Sequence, residues 1–271
     1  MKITESINEN SRDIDLKSTV EILKIINDED KKVAFAVEKA LPEIEKAVDM
    51  LVTIVKNNGR IFYIGAGTSG RLGIVDAAEC PPTFGVSHKM FQGIIAGGRS
   101  SVFKAREFCE DKEQMGATDL ARHSFNSKDA VVGLSCSGST PYVLGALKKA
   151  KSIGASSIVI MCNPEGTLSE YADVTIRVIT GPEVLTGSTR MKAGTGEKMV
   201  LNMLSTATMI RTGRVSGNMM ADMQISCKKL ENRAVQMIVA TTGVSPEKAN
   251  ELISKNNGNL RTAMEEAKCR N

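Results

Sequence analysis

Residues 60–85 read RIFYIGAGTSGRLGIVDAAECPPTFG. The apolar run at residues 61–64 has turn residues on both sides, which predicts a short buried strand. Glycines follow at once, and without their side chains the backbone is open to a ligand. Thr68 and Ser69 add hydroxyls at the start of the next helix, where unpaired N–H groups and a partial positive charge suit an anion. The stretch therefore predicts a strand, an anion-binding loop and a helix.

The helix that follows the loop is predicted to run from Arg71 to about Ala78. It should stop sharply at the sequence Cys-Pro-Pro, residues 80–82, because prolines cannot continue a helix. Glu79 would then lie at an abrupt chain reversal near the anion-binding loop.

Three nucleotide-binding patterns can be compared with this loop. A P-loop requires Lys and then Ser or Thr after its last glycine, and the chain has Arg71 and Leu72, so this pattern fails. The dinucleotide fingerprint matches Gly65, Gly67 and Gly70, but the next predicted strand ends in two glycines and not in the acidic residue that holds a ribose. The lysine and acidic metal ligands that accompany a kinase glycine loop are missing. A phosphate site lined by hydroxyls and amides remains.

The composition excludes several classes of protein. The chain has 271 residues, of which 42% are hydrophobic, enough for a substantial core. Its 35 basic and 31 acidic residues are well mixed, so we expect neither nucleic acid nor a membrane as a partner. Six scattered cysteines and two separated histidines predict reduced thiols in a cytoplasm and no metal site. The sequence shows no signal peptide and no apolar run of membrane-spanning length.

Strands alternate with helices along most of the chain. Residues 1–12 are polar and predicted to be extended or mobile; three helices then begin at a Ser18/Glu21 capping box, at Asp28 and after Pro42, the third ending at Gly59. Strands are predicted at residues 61–64, 91–96, 129–134, 157–161 and 174–178, with helices at 71–78, 102–108, 141–154 and 197–210. This alternation predicts an α/β fold with a mostly parallel sheet between two layers of helices. Ligands of such sheets collect at the carboxyl ends of the strands.

A second loop, residues 135–140, has the sequence SCSGST and precedes a helix that Pro141 begins. Its hydroxyls belong to Ser135, Ser137, Ser139 and Thr140. Ser and Thr are also favoured there as ordinary helix caps, so one such loop alone would be a plain strand-to-helix turn. Two hydroxyl-rich loops in one sheet favour a phosphosugar site.

Four longer motifs occur in order: GAGTSGRLGIVDAAECPPTFG at residues 65–85, IAGG at 95–98, EFCED at 107–111 and GSTRMKAGT at 187–195. Together they resemble the N-acetylmuramic acid 6-phosphate etherases, bacterial enzymes with a sugar isomerase (SIS) fold, and the resemblance extends over nearly the full length. It implies an SIS-type three-layer α-β-α sandwich. The expected domains are a helical N-terminal segment at residues 1–52, an SIS catalytic domain at 53–216, and a C-terminal helical module at 217–271 similar to a ubiquitin-associated (UBA) domain.

The resemblance also implies a reaction. Etherases of this family cleave the D-lactyl ether of N-acetylmuramic acid 6-phosphate by elimination and then hydration, in cytoplasmic recycling of cell-wall amino sugars, without metal or other cofactor. Their proton donor matches Glu79 and a second glutamate, for the C2 base or water activation, matches Glu110. Without the resemblance, Glu110 in its acidic stretch would be interpreted as an exposed residue at a helix end, whereas Glu79 could be such a residue but is better placed for a role in the site. A protonated Glu79 requires a pKa raised by burial or by nearby negative charge.

Two cations complete the predicted site. Arg190 and Lys192 would contact the phosphate or the lactate, with Gly67, Thr68, Ser69 and the second loop, in a homodimer that binds a phosphosugar. The alternative is a helix cap with two solvated cations.

At the level of function, the alternatives are a non-catalytic phosphosugar sensor, such as the glucokinase regulatory protein, or a phosphosugar isomerase. The pair Glu79 and Glu110 favours the etherase.

Overall fold

Three helices precede the first strand. The computed structural model, which describes residues 2–225 and 227–268 (Glu107 by its backbone alone), gives them as α1 (Thr19–Asp30), α2 (Lys32–Lys39) and α3 (Leu41–Lys56). The predicted capping box is confirmed, since the Glu21 carboxylate accepts the Ser18 backbone N–H at 2.8 Å. The predicted cap at Asp28 is wrong. Asp28 lies inside α1 and accepts a hydrogen bond from the Lys31 ammonium at 2.7 Å, and the helix break falls at Lys31.

The turn after α3 does not use Gly59 for the left-handed conformation. Asn58 adopts it, with φ of 59°. A Cβ on Gly59 would lie 2.0 Å from the Lys128 carbonyl oxygen. Glycine is therefore needed at position 59 for a close approach to another segment and not as a helix cap.

The five predicted strands are confirmed, and all of them run parallel. They are β1 (Ile61–Gly65), β2 (Phe91–Ile95), β3 (Ala130–Leu134), β4 (Ser156–Met161) and β5 (Val174–Arg177), in the order β2-β1-β3-β4-β5. The strand order changes direction at β1, which has β2 on one side and β3 on the other. A crevice for ligands is expected at such a switch point, at the carboxyl ends of β1 and β3.

The helices between the strands are α4 (Gly67–Phe84), α5 (Ser100–Phe103), α6 (Glu113–Arg122) and α7 (Pro141–Ser152), and α8 (Lys192–Arg211) follows β5. The helix predicted at residues 102–108 is wrong: α5 ends at Phe103, and Glu107–Cys109 forms a separate 3₁₀ turn. The predicted range contains two aromatic residues, Phe103 and Phe108. They are 80% and 84% exposed, so they do not mark a buried helix face.

The abrupt helix stop at residues 80–82 is also wrong, because α4 continues through Pro81 and Pro82 to Phe84. Neither proline has an N–H to donate, so the last turn of α4 lacks the hydrogen bonds that residues 81 and 82 would otherwise make to the carbonyls four residues back. The reversal comes at Gly85, whose φ is 64° and whose N–H donates to the Pro81 carbonyl at 2.9 Å.

The N-terminal residues are ordered against the sheet domain, so the prediction of an extended or mobile segment is wrong. We call residues 2–12 the N-terminal strap. Its polar side chains Thr4, Asn8 and Ser11 are buried. The Asn8 amide donates to the Pro182 carbonyl at 3.1 Å, and the Ser11 hydroxyl donates to the Val184 carbonyl at 2.8 Å. The polar composition of the strap thus serves hydrogen bonds to the protein.

The chain divides into two compact units. One unit comprises Met1–Ala78 with Lys89–Thr208, which we call the sheet unit, and the other comprises Glu79–His88 with Met209–Asn271, the C-terminal unit. The predicted division into three domains stays a prediction. Among the described residues, no helix has the length and hydrophobicity that crossing a membrane requires.

The C-terminal unit has a core of its own, formed by α9 (Lys228–Thr242), α10 (Pro246–Lys255) and α11 (Leu260–Lys268). Ser245 caps α10 ahead of Pro246, and its hydroxyl accepts the Lys248 backbone N–H. The UBA likeness of this three-helix module stays a prediction.

Asp222 joins three parts of the C-terminal unit. Its carboxylate accepts the Arg261 Nε–H at 2.6 Å and lies 3.5 Å from Arg214. A Cβ on Gly85 would lie 2.1 Å from the Asp222 carbonyl oxygen, so the segment after α4 passes directly against residue 222. Arg261 also donates to the Gly213 carbonyl at 2.7 Å.

Candidate functional site

The first glycine loop makes a tight turn between β1 and α4. A Cβ on Gly70 would lie 2.7 Å from the Gly65 carbonyl oxygen, and one on Gly65 would lie 2.8 Å from the Gly70 nitrogen. Side chains there would push the strand end and the helix start apart. Gly67 differs from them, because its φ is 53° and the space beside its Cα is open. The first turn of α4 is therefore accessible to a ligand on that side.

The second loop forms a connected set of hydroxyls at the start of α7. The Ser135 Oγ lies 2.7 Å from the Thr140 Oγ1 and 3.3 Å from the Ser137 Oγ, which is 3.4 Å from the Ser139 Oγ. Ser135 is buried, and the other three are half-buried. Hydroxyls that bond one another beside the positive end of a helix can turn their protons toward an anion.

The structure brings the two loops together. Both follow the carboxyl ends of neighbouring strands, since Gly65 of β1 pairs with Leu134 of β3. The Ser69 Oγ lies 3.8 Å from the Cys136 Sγ. The two predicted loops thus form one crevice at the switch point of the sheet.

Glu197 of α8 lies beneath the contact between the loops, and the sequence analysis missed it. Its side chain is fully buried, and its Oε2 lies 3.9 Å from the Cys136 Sγ. Burial raises the pKa of Glu197 to about 7, although hydrogen bonding from Ser69 and Cys136 lowers it in part. The sequence offered one signal for Glu197. It is the single acidic residue in the first half of α8, where the other charged residues are Lys192 and Lys198.

The motif at residues 187–195 forms a third wall of the crevice. A Cβ on Gly194 would lie 3.5 Å from the Thr68 Cγ2 of the first loop. The Glu183 carboxylate accepts the backbone N–H groups of Lys192 and Ala193, at 3.0 and 2.9 Å, and so caps α8. Burial raises the pKa of Glu183, which these hydrogen bonds oppose.

The two predicted catalytic carboxylates belong to different units. Glu79, on α4, is exposed and lies in the C-terminal unit. Glu110, just after the 3₁₀ turn Glu107–Cys109, is exposed and lies in the sheet unit. The backbone carbonyl of Glu110 accepts the Tyr142 N–H at 2.9 Å, which anchors it to the first turn of α7. The burial that would favour a protonated Glu79 is therefore not supplied within this chain.

Known proteins are similar to this chain over nearly its whole length. A family model for the glucokinase regulatory protein N-terminal SIS domain matches residues 43–151, and one for the SIS domain matches residues 117–207. An N-acetylmuramic acid 6-phosphate etherase of Clostridium botulinum strain Langeland is 51% identical over 97% of this chain and 87% of its own length. One of Photorhabdus laumondii is 50% identical with the same coverage.

The chain belongs to the N-acetylmuramic acid 6-phosphate etherase family. Its fold is similar to phosphoheptose isomerases from Neisseria gonorrhoeae and Francisella tularensis, with TM-scores of 0.54 and 0.52. Sequence identities are 17% and 16%, and the alignments cover 70% and 71% of this chain and 98% of each isomerase. The predicted SIS-type fold is confirmed.

One predicted cation of this etherase-family chain is not solvated. Lys192 is 1% exposed, and its ammonium pairs with the Glu29 carboxylate of α1, which is itself buried. Burial would raise the pKa of Glu29, but hydrogen bonds from Lys192, Lys32 and Asn10 outweigh it and hold the pKa at about 2. The cap with two solvated cations is thus wrong for Lys192. Arg190 is exposed, and its predicted role stays a prediction.

A cation that the sequence did not predict reaches the second loop. The Lys2 ammonium donates to the Ser139 hydroxyl. Lys2 and Ser139 also line a cleft of about 790 Å³ at the ends of β4 and β5, together with Arg177. No sequence signal marked Lys2, because its proximity arises from the strap. Among the described residues, no group of His, Cys, Asp and Glu is arranged to hold a metal ion.

Proposed function

We propose that this chain cleaves the D-lactyl ether of N-acetylmuramic acid 6-phosphate, giving N-acetylglucosamine 6-phosphate and D-lactate. The observation that carries the proposal is about half identity, over 97% of the chain, to enzymes named for this activity. The Glu-Cys-Pro-Pro and Glu-Phe-Cys-Glu-Asp motifs are both intact. Two adjoining hydroxyl-rich loops at the switch point also fit a sugar phosphate.

A reaction by elimination and then hydration explains why the site would use two carboxyl groups, those of Glu79 and Glu110. In the open-chain sugar, the C2 hydrogen lies beside the C1 aldehyde, so a base can remove it as an enolate forms. The electron pair then expels the C3 oxygen, which takes a proton and leaves as lactate. Water adds its hydroxyl to C3 and its proton to C2. Each proton transfer is a general acid or base step.

Glu79 is the proposed proton donor to the departing oxygen, and Glu110 the proposed base or water activator. Because Glu79 is exposed in this chain, its proton has to be held by the bound ligand. The negative phosphate and lactate carboxylate of the substrate favour the neutral form of a neighbouring carboxyl. Arg190 and Lys2 are the cations proposed to balance that charge in the loaded site.

The chain is proposed to act as a homodimer in a reducing compartment, the cytoplasm, in the recycling of cell-wall sugars. Supporting the dimer, Leu16, Val20, Leu23 and Phe35 near the N-terminus are 57–79% exposed. Contiguous exposed apolar residues mark contact surfaces. Supporting the compartment, the five cysteines of the described part of the chain are free thiols, and Cys269 lies outside it. Light scattering of wild type and Leu23→Glu tests the dimer: a monomer mass for wild type contradicts the dimer, and a dimer mass for both proteins contradicts this contact surface.

The test of the reaction is incubation with N-acetylmuramic acid 6-phosphate in heavy water. We expect release of D-lactate and deuterium at C2 of the product. Glu79→Gln should abolish lactate release, and Glu110→Gln should reduce release and C2 labelling together if it is the base. Glu38→Gln, which removes an exposed carboxylate from α2, is the control.

Other outcomes identify the alternatives. Tight binding of the sugar phosphate with neither lactate nor C2 exchange would indicate a sensor. C2 exchange with an aldose–ketose change and no lactate would indicate an isomerase. Either result overturns the proposed function.

A further inference from the structure

Glu197 is a buried acid at the point where the ligand loops meet. It lies on the second turn of α8 and faces Ser69 on the first turn of α4 and Cys136 in the loop after β3. The Cys136 Sγ lies 3.8 Å from the Ser69 Oγ and 3.9 Å from the Glu197 Oε2. These three side chains connect the first loop, the second loop and α8.

The neutral form of this carboxyl suits its surroundings better than the charged form. Within the described residues, the Glu197 Oε1 has no hydrogen-bond partner and no contact with water. A carboxylate can accept hydrogen bonds and nothing else, whereas a neutral carboxyl can both donate and accept. A neutral Glu197 can therefore bond the Ser69 oxygen and the Cys136 sulfur in either direction. Burial of a carboxylate with an unpartnered oxygen is costly.

Few other titratable groups face Glu197. The Cys136 thiol does, and its pKa is raised by its contact with the Cys162 thiol, after β4, and by burial, so it stays neutral. Asp76 lies along the same contact between α4 and α8, about 10 Å from Ser69 by helix rise. Its carboxylate accepts hydrogen bonds from the Asn202 amide at 2.7 Å and the Ser205 hydroxyl at 3.1 Å. On α8 itself, Lys192 is paired with Glu29 and Lys198 is exposed.

We propose that Glu197 is a positioning residue for the phosphosugar: its neutral carboxyl ties Ser69 of the first loop to Cys136 of the second, and its ionisation weakens the site for anions. This inference rests on the proposed function, which makes a phosphosugar the ligand of these loops. Binding weakens when the proton leaves, because a negative charge then arises beneath a site that binds another negative charge.

The test measures the affinity of wild type, Glu197→Gln and Asp76→Asn for N-acetylglucosamine 6-phosphate by calorimetry from pH 6 to 8.5. Wild type should lose affinity by about tenfold more than Glu197→Gln over this range. The glutamine amide is neutral and can donate and accept, so this variant should match wild type at pH 6. Asp76→Asn removes a buried acid from the same helix contact and should keep the pH dependence of wild type.

Glu197→Ala removes the tie and should bind weakly at every pH, and its unfolding temperature separates that loss from misfolding. Parallel curves for wild type and Glu197→Gln overturn the inference, as does weak binding by Glu197→Gln at pH 6. Lactate release by wild type distinguishes failure of this inference from failure of the proposed function. If lactate is released and the curves are parallel, this inference alone fails; if neither lactate release nor binding is seen, the proposed function fails with it.

Discussion

At the scale of single residues, buried charges in this chain divide into those with a partner and those without. Lys192 and Glu29 neutralise each other inside the sheet unit. Among the described residues no cation is paired with Glu197, and burial moves its pKa the opposite way from that of Glu29. As pH rises, ionisation of Glu29 therefore increases the free energy of unfolding, whereas ionisation of Glu197 decreases it.

Glu197→Gln should change how stability depends on pH. The folded protein keeps the Glu197 proton up to about pH 7, whereas the unfolded chain loses it near pH 4.5. The free energy of unfolding of wild type therefore falls between these values, by about 3 kcal/mol in all, and Glu197→Gln removes this loss. Urea unfolding from pH 5 to 8 should show the variant gaining on wild type as pH rises. Curves that stay parallel, as those of Glu38→Gln should, contradict the assignment.

Lys192→Met should destabilise the sheet unit by about 3 kcal/mol, because it leaves the Glu29 carboxylate buried without its main partner. Adding Glu29→Gln should recover part of that loss. Urea unfolding at pH 7 measures both. A Lys192→Met protein of normal stability with a raised KM would instead restore Lys192 as a substrate contact.

The sequence could reveal the residue types of the site but not all of their environments. Ser69, Ser135 and Thr140 stand in recognisable loops, since strand, glycine and hydroxyl are neighbours along the chain. Lys192 stands in a motif as well, yet its ammonium turns to Glu29, a residue far away in sequence. Side-chain direction depends on tertiary packing, which local spacing does not encode.

At the scale of elements, strands were more predictable than helix ends. β1, β3 and β4 are short, largely apolar and buried runs between turn residues, and their length favours a strand over a helix. The end of α4 was missed because two prolines usually stop a helix, whereas here the helical conformation continues past them to Phe84. The strap was missed because buried polar residues and solvated ones look alike in sequence.

Lys2→Met should raise the KM for the phosphosugar several-fold and leave kcat nearly unchanged. The strap holds the Lys2 ammonium at the Ser139 hydroxyl, where it can meet a phosphate. Lys2→Arg should retain most of the affinity, and Lys17→Met, on an exposed lysine beyond the strap, is the control. Steady-state kinetics at two salt concentrations measure the effect, which salt should reduce. An unchanged KM would mean that Lys2 does no more than bond Ser139.

At the scale of the whole molecule, the division into units assigns Glu79 to the same body as the C-terminal helices. Arg261→Met breaks the ion pair with Asp222, against which the segment after α4 packs. We expect kcat to fall about tenfold with little change in KM, because Glu79 loses its position while the loops keep theirs. Lys248→Met, which breaks the ion pair between Lys248 and Glu251 within α10, is the control. Equal effects on KM and kcat would show that Arg261 acts by general stability.

The strap has a consequence for how the protein is made. Thr4 finds its hydrogen-bond partner Asn163 only 159 positions further along the chain. At ribosomal rates of about 5–20 residues per second, Thr4 leaves the ribosome roughly 8–32 s before that partner exists. During synthesis the strap therefore lacks this hydrogen-bond partner, and it packs against the sheet unit only after β4 has joined the sheet. A nascent chain acquires the Lys2 contact near the end of its folding, although the residue is among its earliest.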